Sequence, residues 1–354
     1  MFSAVLFATS ASAVWAAEVT DLPPQWRGDV GVSYEAMVIP ESLREGSDIV
    51  GARRSVDHTL NYSGVIGWTD YLASSLTLPH QVSSKLAFTD MNRMVYDPIL
   101  ETGTMVGTGE GRDRTIEGSG VGGLWVRLLG TPMSESVFSE RGDQISWLMS
   151  IGYQFKNTTS FWNNPASAAA GPASPAFEFT SFWSTRNNRT EPYLGVVWTH
   201  RFPTSVESSQ GTIAVKDPST LDLKVGIEIL LVEDETFAEG LGTELALDLH
   251  ATFGHQDWGD GVSGLELANA LPITRGRPAS QGETNNVWVG ADLRWRIARY
   301  VDWTVSHSWG KSFGHTLEHP YAVASDPDGK LGWSIGSGLT FRMRDPLFDQ
   351  KPRQ

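Results

Sequence analysis

From Leu221 to Leu231 the chain alternates, with Leu221, Leu223, Val225, Ile227, Ile229 and Leu231 separated by Asp222, Lys224, Gly226 and Glu228. Only an extended strand sends successive side chains to opposite faces, so this pattern forbids a helix and demands two different environments. It recurs in Leu245, Leu247, Leu249, Ala251 and Phe253, set against Glu244, Ala246, Asp248, His250 and Thr252. Val287, Val289, Ala291, Leu293, Trp295 and Ile297 oppose Gly290, Asp292, Arg294 and Arg296. Leu331, Trp333, Ile335, Leu339, Phe341 and Met343 oppose Gly332, Ser334, Gly336, Gly338, Thr340 and Arg342. Near the start, Trp26, Val30, Val32, Tyr34, Ala36 and Val38 oppose Arg27, Asp29, Ser33 and Glu35. Ile145, Trp147, Met149, Ile151, Tyr153 and Phe155 mark another strand, and 56-68, 71-79, 118-129, 177-186, 191-202 and 300-311 complete the set.

About twelve strands result, an even number as a closed bacterial membrane barrel requires. Several exceed about nine residues, long enough to cross a bilayer when tilted. The expected fold is all-β: a transmembrane antiparallel up-and-down β-barrel of about twelve strands over 18-344. A soluble sandwich is the rival, because its strands alternate too, with the apolar faces turned inward.

Connection lengths favour the barrel, whose periplasmic turns are short and extracellular loops long. With Trp26 in the periplasm, the odd connections are long: 39-55, 80-117, 157-176, 203-219, 258-285 and 312-330. The even ones are short at Thr69-Asp70, Asn187 to Thr190 and Arg299-Tyr300, and intermediate at 130-142 and 233-242. Both mature termini then fall in the periplasm, with 345-354 as a periplasmic tail. Turn chemistry fills the long loops, as in Asn163-Asn164-Pro165, Asp260-Gly261 and Asp326-Pro327-Asp328-Gly329.

Composition agrees. The residues are 40% hydrophobic, yet mean hydropathy is -0.21, and no mature segment is apolar over the roughly 18 residues a membrane helix needs. In a barrel only alternate residues face lipid, which reconciles the two. The 36 glycines, 14 tryptophans, 15 phenylalanines and 8 tyrosines suit tight turns and aromatic girdles. Trp68, Trp125, Trp147, Trp198, Trp295, Trp303, Trp309 and Trp333 lie in or near strands and are the girdle candidates. With no cysteine, disulfides, thiolate zinc sites and thiol catalysis are excluded. A net charge of -14 without a Lys/Arg cluster argues against nucleic acid.

Residues 1-17 carry no charge and read as a signal peptide, with small-residue cleavage contexts at Ala11-Ser12-Ala13 and Val14-Trp15-Ala16. The segment departs from the usual signal in having no Lys or Arg before its apolar run. Export implies outer-membrane lipid and the barrel-assembly machinery as partners.

With the apolar faces on lipid, the polar faces line the lumen. The candidates are Asp29, Glu35, Arg127, Asp222, Lys224, Glu228, Asp248, His250, Asp292, Arg294, Arg296, Asp302 and Arg342, together with Arg27, Asp57 and Glu244. Closure would bring Arg342 beside Asp29, and Arg294 or Arg296 would reach Asp302 or Asp248. Asp248 and His250, two apart on one face, would adjoin Arg294, as an acid/base or substrate-binding pair or as part of a satisfied polar network.

Enzyme signatures fail on context. None of the eight histidines is followed two residues later by Ser. Gly310 to Gly314 and Gly332 to Gly336 match G-x-S-x-G, but Ser334 sits inside an alternating strand and no helical pattern follows Ser312, so neither forms a nucleophile elbow. His255, Asp257 and Asp260, and Asp326 with Asp328, lack the full ligand pattern of a calcium loop. No cofactor, metal or catalytic residue is expected.

Gly67-Trp68-Thr69-Asp70-Tyr71-Leu72, running into Ser75-Leu76-Thr77-Leu78-Pro79, resembles an early hairpin of a transporter-like barrel family. That family is described as the outer-membrane component of a meta-cleavage phenol-degradation pathway. Gly118-Ser119-Gly120-Val121-Gly122-Gly123-Leu124 is similar to its following strand. The resemblance covers the second to fourth strands and implies a twelve-strand-type barrel taking up small, rather apolar molecules. It carries over no binding residues. The C-terminus departs from barrels that end on an aromatic, since Phe341 is followed by a polar tail to Gln354. The function expected is passive passage of small solutes, apolar or aromatic ones included. The alternative is a closed structural or adhesive barrel acting through its loops, above all 80-117.

Overall fold

The computed structural model describes residues 22–45, 48–89, 114–133, 145–156, 174–208, 211–233, 244–261, 279–298, 300–313, 317–319 and 322–343. The expected signal segment 1-17 and tail 345-354 lie outside them, as does 90-113.

Twelve antiparallel strands close into one barrel. They are β1 (Gly28–Glu45), β2 (Asp48–Thr69), β3 (Leu72–Thr89), β4 in two pieces (Arg114–Val121 and Trp125–Met133), β5 (Ile145–Gln154) and β6 (Ala176–Thr185). The others are β7 (Thr190–Arg201), β8 (Thr220–Glu233), β9 (Glu244–Gln256), β10 (Thr284–Ala298), β11 (Val301–Phe313) and β12 (Gly332–Met343). Each pairs with its sequence neighbours, and β1 closes on β12 from Gly28↔Met343 to Val38↔Trp333. Closure matters because hydrocarbon offers no partner for an open edge of N–H and C=O groups.

The two faces are inverted relative to a soluble protein. Leu221, Leu223, Leu249, Val289, Leu293, Ile335 and Ile151 are exposed, whereas Asp248, Asp292, Arg294, Arg296 and Asp302 are each no more than 5% exposed. That inversion excludes the sandwich, whose apolar faces would be the buried ones. An apolar outside around a polar inside fits a barrel that crosses a bilayer.

Aromatic pairs band the outside. Near the short-turn end, ring centroids are 5.5 Å apart for Trp26–Trp68, 6.4 Å for Trp147–Trp183 and 6.2 Å for Trp295–Trp303. Towards the other end stand Tyr153–Phe155 at 5.2 Å, Phe177–Trp198 at 6.3 Å and His307–Trp309 at 4.0 Å. Trp125 is the exception among the expected girdle tryptophans. It shares the inward parity of Arg127 and is buried, with the guanidinium 4.6 Å over its ring.

Several expected long connections prove to be strand. Residues 39–45 and 48–55 extend the β1–β2 pairing, down to Glu45↔Asp48. Glu41–Arg44 also pair with Asp326–Gly329 of the strand Ala322–Gly329, inside the expected 312-330 loop. β3 runs on to Thr89, and 203-219 contains the small hairpin Thr204–Ser208 with Gly211–Val215. Turn residues such as Gly51 and Asp48 masked this extension in the sequence, because a barrel rim tolerates them in strands that have left the bilayer. β2, at 22 residues, is about twice the length a crossing needs.

At the short-turn end the segment before β1 packs inside. Leu22 lies against Ala73, Leu129 and Leu148, with Val65 and Phe182 beside them. The backbone oxygen of Pro23 sits where a side chain on Gly67 would have to go, so only glycine fits there. Trp26 then turns the chain over the rim at φ 58°, held by its N–H to the Gly67 carbonyl at 2.8 Å. A non-glycine residue in that region is uncommon and persists only when its surroundings fix it.

Candidate functional site

The polar parity of β8 to β12 builds a continuous chain of alternating charge inside the barrel. Arg294 Nη2 is 2.9 Å from both Glu228 Oε1 and Glu244 Oε1. Arg296 links Glu244 at 3.1 Å to Asp302 at 2.7 Å, and Arg342 approaches the other Asp302 oxygen at 2.5 Å. Arg296 and Asp302 are direct cross-strand partners, so the tight β10–β11 connection alone sets that pair. Arg342 lies opposite Asp29 in the β1–β12 register, with Asp29 half-buried.

Further along the same strands is a second cluster. Tyr193 donates to both carboxylate oxygens of Asp248, at 3.0 and 2.9 Å. Its ring crosses Gly226, where a side chain would collide with the phenol. His250 Nδ1 is 3.3 Å from Asp248 and 3.9 Å from Asp292. The neighbour of the Asp248–His250 pair is therefore Asp292, which faces Asp248 in register, rather than the expected Arg294, which faces Ala246. The Lys224 ammonium lies 5.7 Å from the Tyr193 ring and interacts with both aspartates. Asp222 is buried opposite Gly254, and Glu35 is buried on β1.

Arg127 belongs to a separate group on β4 and β6. Its Nε is 2.6 Å from Glu178 Oε1, across the intervening Gly152 of β5. Asp57 accepts from Gln81 at 2.8 Å and from Ser84 at 2.5 Å. Gly31, Ser33, Ser63, Thr304, Ser306, Gly338 and Thr340, all small, line a cavity. The charge is thus interrupted on β1, β2, β11 and β12 by a patch of small side chains. Large aromatic side chains also stand inside, since Trp288 is buried over Gly310.

Sequence reasoning missed Glu178, Tyr193 and Trp288. Glu178 has the right parity between Phe177 and Phe179, but Phe182-Trp183 breaks the alternation and weakens the signal. Trp288 stands between Val287 and Val289 and reads as part of an apolar run.

No protein-family model and no curated protein matches the chain. Among solved structures, the COG4313 outer membrane channel from Pseudomonas putida F1 aligns with a TM-score of 0.52, at 13% identity, over 92% of this chain and 98% of that one. The two share a fold. The translocator domain of the autotransporter NalP from Neisseria meningitidis aligns at 0.42 and 8% identity, over 96% of each chain. A Pseudomonas aeruginosa FadL homologue aligns at 0.39 and 10% identity, over 95% and 92%.

Proposed function

We propose that the protein is an outer-membrane channel for small solutes. The observation that carries this reading is the barrel's inversion: an apolar, aromatic-banded outside encloses a charged inside with one patch of small side chains. Twelve strands lie between about eight, which side chains fill, and the 16 to 18 of open aqueous porins. A narrow path along the wall of Gly31, Ser33, Ser63, Thr304 and Ser306 is the geometry such a barrel allows. Around it, Asp29, Glu35, Arg127, Asp222, Lys224, Glu228, Asp248, His250, Asp292, Arg294, Arg296, Asp302 and Arg342 set selectivity through charge. The end with short turns faces the periplasm, which puts both mature termini there.

Small aromatic or otherwise apolar molecules are the solute class. Trp125, Trp288 and Phe182 stand on the inward parity and offer flat apolar contact beside the charges. The resemblance to the phenol-degradation family at Gly67–Leu72 supports this choice. The test is uptake into proteoliposomes. Phenol-sized neutral aromatics should enter faster than disaccharides of similar polarity to glucose, and equal exclusion of both would contradict the reading.

A further inference from the structure

We propose that Asp248, His250 and Asp292 form a binding site for one divalent transition-metal ion inside the barrel. Their ligand atoms all lie within 4.8 Å of one another, the one such grouping among the described residues. The strand ladder fixes it: Asp248 and His250 share the inner face of β9, and Asp292 is the direct cross-strand partner of Asp248 on β10. Zinc binds imidazole nitrogen and carboxylate oxygen at about 2.0–2.2 Å, which in a tetrahedron separates neighbouring ligand atoms by roughly 3.3–3.6 Å. Here Nδ1 is 3.3 Å from one carboxylate oxygen and 3.9 Å from the other, so small side-chain rotations complete the site.

A second observation points to a ligand. The His250 side chain is 8% exposed, and its Nδ1 makes no hydrogen bond among the described residues although it faces two carboxylates. A buried ring nitrogen normally has a partner. The ring fills the space that a side chain on Gly290 would need, since a methyl group there would stand 2.6 Å from its Nε2. Tyr193 holds Asp248 through both oxygens, the kind of outer support that orients a metal-binding carboxylate. The two carboxylates outnumber the single Lys224 ammonium beside them, which favours a dication. One imidazole with two carboxylates suits zinc, nickel or manganese better than soft ions, which need thiolates.

The alternative chemistry is a plain imidazolium–carboxylate pair, and direct binding separates the two. The full mature chain, refolded in detergent, is titrated calorimetrically with zinc chloride and with nickel chloride. One saturable site is expected, with affinity at least tenfold lower in His250→Ala and Asp292→Asn and unchanged in His255→Ala, which removes an exposed histidine. Gly290→Ala should also weaken binding by displacing the ring. Absence of saturable binding by the wild type, or equal binding by His250→Ala, overturns the site. Should the variants not refold, zinc-edge X-ray absorption of the loaded wild type decides. A nitrogen/oxygen shell near 2.0–2.1 Å with imidazole scattering supports the site, and a purely oxygen shell refutes it. Binding is read without conduction, so failure here leaves the channel reading intact.

Discussion

Arg127 reaches over the strand beside it: its Nε meets Glu178 Oε1 at 2.6 Å, with Gly152 of β5 lying between them in register. A side chain on Gly152 would stand 2.9 Å from the Arg127 stem. The same device recurs where Tyr193 crosses Gly226 to Asp248, and where Arg294 passes Ala246 to reach Glu228. Small residues on an intervening strand let long polar side chains pair two strands apart, tying the barrel across its ladder.

That geometry makes the pair sensitive to the loss of one partner. Glu178→Gln should destabilise the folded barrel by about 3–5 kcal/mol, because a buried guanidinium loses its charge partner. Arg127→Met with Glu178→Gln should recover most of the loss. Equilibrium unfolding in phospholipid micelles measures both. A double variant no better than Glu178→Gln would contradict the coupling.

Lipid contact predicts a depth dependence within one strand. Ile151 is 49% exposed between the Trp147 and Tyr153 bands, whereas Ile145 is 56% exposed at the strand's short-turn end. Ile151→Arg should cost about 2–4 kcal/mol and Ile145→Arg about 0–1 kcal/mol. In a water-exposed face the two substitutions would cost the same, which unfolding titrations of the pair of variants would reveal.

The charge chain of β8 to β12 predicts a change in ion preference. Neutralising Arg294 and Arg296 as Gln removes two positive charges from beside Glu228, Glu244 and Asp302, of which Asp302 keeps Arg342, so the interior gains net negative charge. Reversal potentials in a salt gradient should shift towards cation preference. An unchanged potential, with the variant demonstrably inserted, would remove these arginines from the conducting path.

A fourth expectation separates a channel from a barrel that works through its rim. The β1–β2 hairpin beyond Glu41 and Arg53 lies past the length that a crossing needs. Replacing 42-52 with a two-residue turn should leave insertion and solute passage intact. Loss of passage with retained folding would favour a rim function.

The twelve strands were legible because lipid and lumen impose opposite polarity at every step, and period two survives local noise. Rim strands were not, since 39-55 has no lipid to face and carries no sustained alternation. The charged positions of β8 to β12 were legible one by one, but their partners were not. Arg296 with Asp302 follows from a short turn, whereas Asp248 with Asp292 depends on register between strands separated by a long stretch of sequence. Arg127 with Glu178 was invisible, because the pairing spans two strands and needs Gly152 between. Trp125 misled for a simple reason, as tryptophan alone does not say which face it occupies.

Single-channel recording of the refolded mature protein in a planar bilayer tests the channel reading most directly. Steady unitary conductance with a measurable charge preference is the result predicted. Silence from protein shown to be folded and inserted would contradict it, and would leave a closed barrel whose rim carries the function.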